Sequence, residues 1–133
     1  MSGLLSYAGA AVLAVLGLLH LIYTTSDLIR GPRYFRPRDR DLLPRLQQTQ
    51  TAIAPRGHDF WTTLLGFHIS HSIGVLMLSL MIVVATAHGI SWLGIVTTIV
   101  SAAYALVAWR FWFGIPMWGC VVATLLLIGG LIV

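Results

Sequence analysis

Apolar residues run along the chain in four long blocks, roughly 3–28, 60–87, 90–109 and 115–133, each broken only by isolated polar or small side chains. A helix needs about 20 such residues to cross the hydrocarbon core of a bilayer, so each block predicts a transmembrane helix. Lipid offers backbone groups no partner and helices satisfy their own. The pattern therefore predicts an all-α membrane protein, a four-transmembrane-helix antiparallel bundle forming a single domain over 1–133. The only sizeable polar piece is RGPRYFRPRDRDLLPRLQQTQTAIAPRG, residues 30–57. Pro32 and Pro37 predict an irregular first half. The second half reads either as a solvated linker or as a short helix along the membrane surface. In the helical reading Asp41 caps it, Pro44 sits in its first turn, and Leu42, Leu46 and Ile53 lie near one face.

Helical periodicity sorts the polar positions inside the blocks. In the first, Ser6, Gly9, Leu13, Gly17, His20, Thr24 and Asp27 share one narrow face, its only polar stripe. In the second, Trp61, Leu64, His68 and Ser72 share a face flanked by His71, and Gly66, Ser70 and Gly74 form the opposite one. That opposite face is a small-xxx-small seam, expected to pack against a neighbouring helix so that the histidines turn away from lipid. The third block gathers Thr97, Ser101 and Tyr104, and the fourth places Cys120 and Thr124 one turn apart.

Composition supports the membrane reading, with 58% hydrophobic residues, 9% charged and a mean hydropathy of +0.89. The first block lacks a preceding basic residue and is too long for a signal-peptide core, so it reads as a true span and the chain is expected to begin near Met1. All basic residues are Arg. Seven of the eight lie between the first two blocks and Arg110 lies between the last two, whereas HGISW at 88–92 has none. The positive-inside bias predicts a multi-pass protein of the bacterial cytoplasmic (inner) membrane with both termini and His88 outside and residues 30–57 inside, Trp109 and Trp112 forming an inner aromatic belt. Arg33, Arg36, Arg38 and Arg40 are candidate contacts for anionic lipid head groups, the simpler alternative being that they only set topology. Nothing points to nucleic acid. The lone Cys120 permits neither an internal disulfide nor a cysteine metal cluster.

Counting about 1.5 Å per residue from the inner ends puts His20, His68, His71, Tyr104 and Thr124 at depths of roughly 10, 13, 18, 9 and 12 Å. These side chains are expected to form one polar layer. Three readings share it. The first is hydrogen bonding between helices, each bond contributing about 0.6 kcal/mol and fixing register. The second is a site for a quinone, a lipid head group or a similar amphiphile, lined by His20, Thr24, His68, His71, Ser72 and Tyr104. The third is haem b or another metal centre, held by His20 with His68 or His71, with Gly17 leaving room for a flat macrocycle. Catalysis is disfavoured, because Ser70 and Ser72 point about 100 degrees away from His71, Glu is absent, and Asp27, Asp39, Asp41 and Asp59 all lie outside the deep region.

GPRYFRP at 31–37, followed by Gly66, Phe67, Ser70, His71, Ser72 and Gly74 in the second block, resembles an uncharacterised family of small bacterial four-helix inner-membrane proteins. The likeness covers about residues 13–80. It implies the four-span fold and a bacterial membrane location, and no activity. The family pattern carries Asn where this chain has His68, so His71 fits it and His68 departs from it, which weakens a bis-histidine haem site. Taken together, the sequence points to a non-catalytic accessory or interaction subunit that associates with other membrane subunits or with itself, its histidine-bearing layer holding an amphiphile. The alternative is a haem b- or quinone-binding redox module.

Overall fold

The computed structural model describes residues 3–133, so the expected start at Met1 lies outside the described residues. The chain forms helices α1 (Gly3–Arg30), α2 (Leu42–Leu46), α3 (Phe60–Ala87), α4 (Ser91–Phe111) and α5 (Gly114–Ile132). Four of these are long and apolar enough to cross a membrane, and the fold is the all-α four-helix membrane bundle that the hydropathy pattern predicts. The chain is accordingly a multi-pass integral membrane protein.

Helix ends follow local chemistry. α1 stops at Gly31, whose φ of +90° suits glycine, and Pro32 follows. α3 starts from Asp59, which accepts the Thr62 amide at Oδ1 (3.0 Å) and the Thr62 hydroxyl at Oδ2 (2.8 Å). These two bonds, the backbone one first, hold the Asp59 carboxyl below its usual range. α3 ends in a Schellman turn at Gly89 (φ +63°), the Ile90 amide reaching the Ala85 carbonyl at 2.9 Å and the Gly89 amide that of Thr86 at 3.4 Å.

Residue contacts divide the chain into two units, Met1–Leu18 with Gly74–Val133, and Leu19–Ile73. In the first, Ala10, Leu13, Val75, Leu78, Ile82, Ala123 and Leu127 form the buried apolar cluster, with Val12 and Tyr104 against it. The Ser79 hydroxyl donates to the Ala10 carbonyl at 2.9 Å, joining α3 to α1, and Ser101 and Thr124 bond at 2.9 Å between α4 and α5. Gly9 lets α1 approach α5 closely, since a Cβ there would lie 3.1 Å from the Ala123 carbonyl oxygen. Gly17, expected to leave space for a macrocycle, is filled instead by Leu76 and Val75, 3.1 and 3.3 Å from its Cβ position.

The second unit holds the end of α1, the start of α3 and the polar segment between them. The helix expected there shrinks to the five residues of α2, too short to be stable by itself. Asp41 occupies its N-cap position without a side-chain capping bond. Leu46 is half-buried and Leu42 is exposed, while Ile53 lies beyond α2 in a turn, so the three do not share a helical face. The chain leaves α2 because Thr49 and Gln50 are drawn to the foot of α3. There the Phe60 amide donates to the Thr49 carbonyl at 2.7 Å and Gln50 pairs antiparallel with Asp59.

Among the described residues the small-residue seam is largely open. Gly66 and Ser70 are exposed, a Cβ at Gly66 would meet open space, and the Ser70 hydroxyl turns back to the Phe67 carbonyl at 2.8 Å. Gly74 alone meets a helix, with the Tyr104 hydroxyl 3.3 Å from its Cβ position. α3 buries the other face, through Trp61, Leu65 and Ser72, so the seam is left on the outside.

Candidate functional site

The second unit brings three histidines together where α1 and α3 run side by side. His20 Nε2 lies 3.0 Å from His68 Nδ1, and the ring of His71 sits 5.7 Å from that of His20 in an edge arrangement. His68 is eight residues into α3, about 12 Å along its axis, so the pair lies well inside the apolar span. All three rings are half-buried. The site is thus a partly open face, approachable from the side, rather than a sealed core contact.

Two aromatic residues complete it. Phe35 stacks on His68 (4.8 Å between centroids, 26°) and meets His20 edge-on (5.2 Å, 71°). Phe67 lies against His71 at 6.4 Å and 16°. Phe35 comes from the polar segment, and Asp27 sets its position. That carboxylate, only 2% exposed at the end of α1, accepts the backbone amides of Arg33 (2.9 Å), Tyr34 (2.9 and 3.0 Å) and Phe35 (2.8 Å). A buried carboxylate has acceptors only, and three consecutive amides supply the donors it needs. The segment is thereby folded back beneath α1, with Tyr34 stacked on Tyr23 at 4.6 Å and the Arg33 guanidinium 5.4 Å over the Tyr34 ring. Neither Asp27 nor Phe35 was singled out as a site residue from sequence. The available signal was an Asp on the polar stripe of the first span, six to eight residues before the amides of RYF.

The other expected site residues fall differently. Thr24 and Ser72 are fully buried beside the histidines in sequence, but each hydroxyl donates to a carbonyl of its own helix, Thr24 to His20 and Ser72 to His68, both at 2.8 Å. They line α1 and α3 rather than offer their protons to a ligand. Tyr104 belongs to the first unit, where it packs against the apolar cluster, and Thr124 bonds to Ser101 there. Arg33, Arg36, Arg38 and Arg40 are all exposed.

The bonded imidazoles have a defined chemistry. With both rings neutral, one inner nitrogen donates and the other accepts, which fixes the two outer nitrogens. If His20 donates through Nε2, its Nδ1 is an acceptor and His68 Nε2 carries a proton; in the reverse arrangement the roles exchange. Either way the pair presents one donor and one acceptor. Haem iron does not fit between the two bonded nitrogens of His20 and His68. Metal–imidazole bonds of about 2 Å require ligating nitrogens about 4 Å apart across the metal, so nitrogens at 3.0 Å bonded to each other leave no gap, and the volume expected at Gly17 is occupied. Among the described residues no group of three or more His, Cys, Asp or Glu side chains has the geometry to hold a metal ion. Comparison with known proteins found no matching family model, no matching curated protein and no matching solved structure.

Proposed function

We propose that the chain is a non-catalytic accessory or interaction subunit of the bacterial inner membrane whose His20–His68–His71 face holds the polar head of a lipid-soluble amphiphile. The observation that carries this reading is the hydrogen-bonded His20–His68 pair, half-buried within the apolar spans and roofed by Phe35. An ionisable pair at this depth is costly unless it is used, and a face open at the side suits a ligand arriving through the bilayer. One donor and one acceptor on adjacent rings match a head that carries both carbonyl and hydroxyl oxygens, as the quinone and quinol forms of a redox carrier do between them. The orientation that accompanies this reading has residues 30–57 in the cytoplasm and both termini outside, because the arginines concentrate there.

The test is to purify the chain from its native membrane in mild detergent, extract it and identify stoichiometric amphiphiles by mass spectrometry. The wild-type chain should retain one that His68→Leu and His20→Leu lose, while His88→Leu, in the connection between α3 and α4, keeps it. If the folded wild-type chain carries nothing above the His68→Leu background, the ligand reading fails. Elution with a larger assembly supports the accessory role, and elution as an isolated chain from freshly solubilised membranes refutes it.

A further inference from the structure

We propose that residues 51–58 form a loop seated in the headgroup layer of acidic phospholipids, with Ile53 as its apolar tip and Arg45 and Arg56 pairing with lipid phosphates. This does not rest on the histidine reading. Both ends of the loop are fixed beside the mouth of a span, since Gln50 pairs with Asp59 and the Phe60 amide bonds to Thr49, and Phe60 is the first residue of α3. Inside the loop the Ala54 amide returns to the Thr51 carbonyl at 3.1 Å and the Gly57 amide to that of Ala54 at 3.0 Å, so the chain is doubled into turns.

Ile53 stands three residues from Gln50, and at no more than about 3.5 Å per residue its reach from that anchor is about 10 Å. The headgroup zone of one leaflet is roughly 5–8 Å deep. The tether therefore keeps the tip within about 10 Å of the mouth of the span, close enough to reach the headgroup zone.

The chemistry at the tip fits that surface. Ile53 is 97% exposed and its neighbours Ala52, Ala54 and Pro55 are exposed as well, an apolar cap that none of the described residues covers. No acidic residue lies between Asp41 and Asp59, while Arg45 and Arg56 flank the cap and Arg30, Arg33, Arg36, Arg38 and Arg40 precede it. Asp27 is committed to three backbone amides and Asp59 to Thr62, while Asp39 and Asp41 lie outside the loop, among Arg36, Arg38 and Arg40. An apolar tip inside a field of arginines, tethered at the bilayer, matches a surface that is anionic outside and apolar beneath. A second copy of the same basic segment would repel it.

The experiment uses the full chain with Cys120→Ser and Ile53→Cys, labelled at position 53 with an environment-sensitive fluorophore. The labelled protein is reconstituted into vesicles of phosphatidylcholine alone or mixed with phosphatidylglycerol, and monodisperse elution confirms that it is folded. Phosphatidylglycerol should shift the emission to the blue and shield the fluorophore from an aqueous quencher, and high salt should reverse both changes. Arg45→Gln and Arg56→Gln should each weaken the shielded state by about fivefold. A fluorophore that stays in water in both vesicles overturns the proposal, as does shielding of equal strength without phosphatidylglycerol. Shielding that persists in detergent overturns it in favour of a protein contact.

Discussion

Removing the Asp27 carboxylate should release Phe35 from the histidines. Three amides converge on it, and a hydrogen bond to a charged group contributes about 1.5–3 kcal/mol. At the low end the three bonds sum to about 4.5 kcal/mol for Asp27→Ala, before the freed amides regain water. Arg33 and Tyr34 are exposed, so their amides can return to water, whereas Phe35 is half-buried and its amide is harder to rehydrate. The net loss should therefore be about 2–3 kcal/mol. Asp27→Asn keeps one acceptor oxygen but turns an NH₂ group toward an amide, so it should lose about 1–2 kcal/mol and sit between alanine and wild type. Stability is measured by reversible unfolding in mixed micelles. The histidines are followed by nitrogen-15 NMR of the imidazoles, where both variants should move the His20 and His68 signals as the ring contacts at 5.2 and 4.8 Å are lost. If Asp27→Ala unfolds within about 0.5 kcal/mol of wild type and leaves the imidazole signals in place, the assignment of Asp27 as the anchor of this segment is wrong.

Gly9→Leu should destabilise by about 3 kcal/mol or more, because the new side chain meets the Ala123 backbone, while Gly66→Leu, which meets nothing, should stay within about 0.5 kcal/mol in the same micelle assay. Equal damage at both sites would show that the exposed seam is covered in the detergent-solubilised protein. His68→Asn retains a donor and an acceptor for His20, so it should be about 0.6 kcal/mol more stable than His68→Leu; a double-mutant cycle with His20→Leu checks the coupling. Asp59 stabilises the start of α3 as a carboxylate whose pKa lies below its unfolded value. That contribution is fully present above the ordinary Asp range and is lost as pH falls through the lowered folded value. Asp59→Ala should therefore unfold more easily at neutral pH yet converge with wild type in strong acid, as pH-dependent unfolding curves will show. In a Cys120→Ser background, Gln48→Cys should be protected from a membrane-impermeant thiol reagent in intact cells and Gly89→Cys should be labelled; the opposite pattern inverts the orientation.

The four spans were legible because lipid makes a rule out of what is only a tendency in water: a block of about 20 apolar residues has no other stable use. The interior was legible for the inverse reason. The polar stripe of α1, from Ser6 through Gly9, Gly17 and Thr24 to Asp27, is buried, as are Thr97, Ser101, Cys120 and Thr124, because a hydroxyl or carboxylate that cannot face hydrocarbon must turn to protein. His20, His68 and Ser72 follow from the same argument.

That argument fixes which face of a helix is inside but not which neighbour it meets. Tyr104 packs against the apolar cluster of the first unit, a neighbour that depth alone does not name. The Gly66–Ser70–Gly74 seam had the right spacing for close packing, yet small residues are not excluded from lipid as polar ones are, so spacing alone could not say whether a helix covers them. Outside the spans the constraint disappears. There the decisive bonds join Asp27 to amides six to eight residues away and Thr49 to Phe60 eleven residues away, and no period in the sequence records either pairing. The histidine pair can thus be read from the requirement that polar groups be satisfied within the bilayer, whereas its roof, Phe35, depends on a buried carboxylate finding its donors in the chain that leaves the membrane.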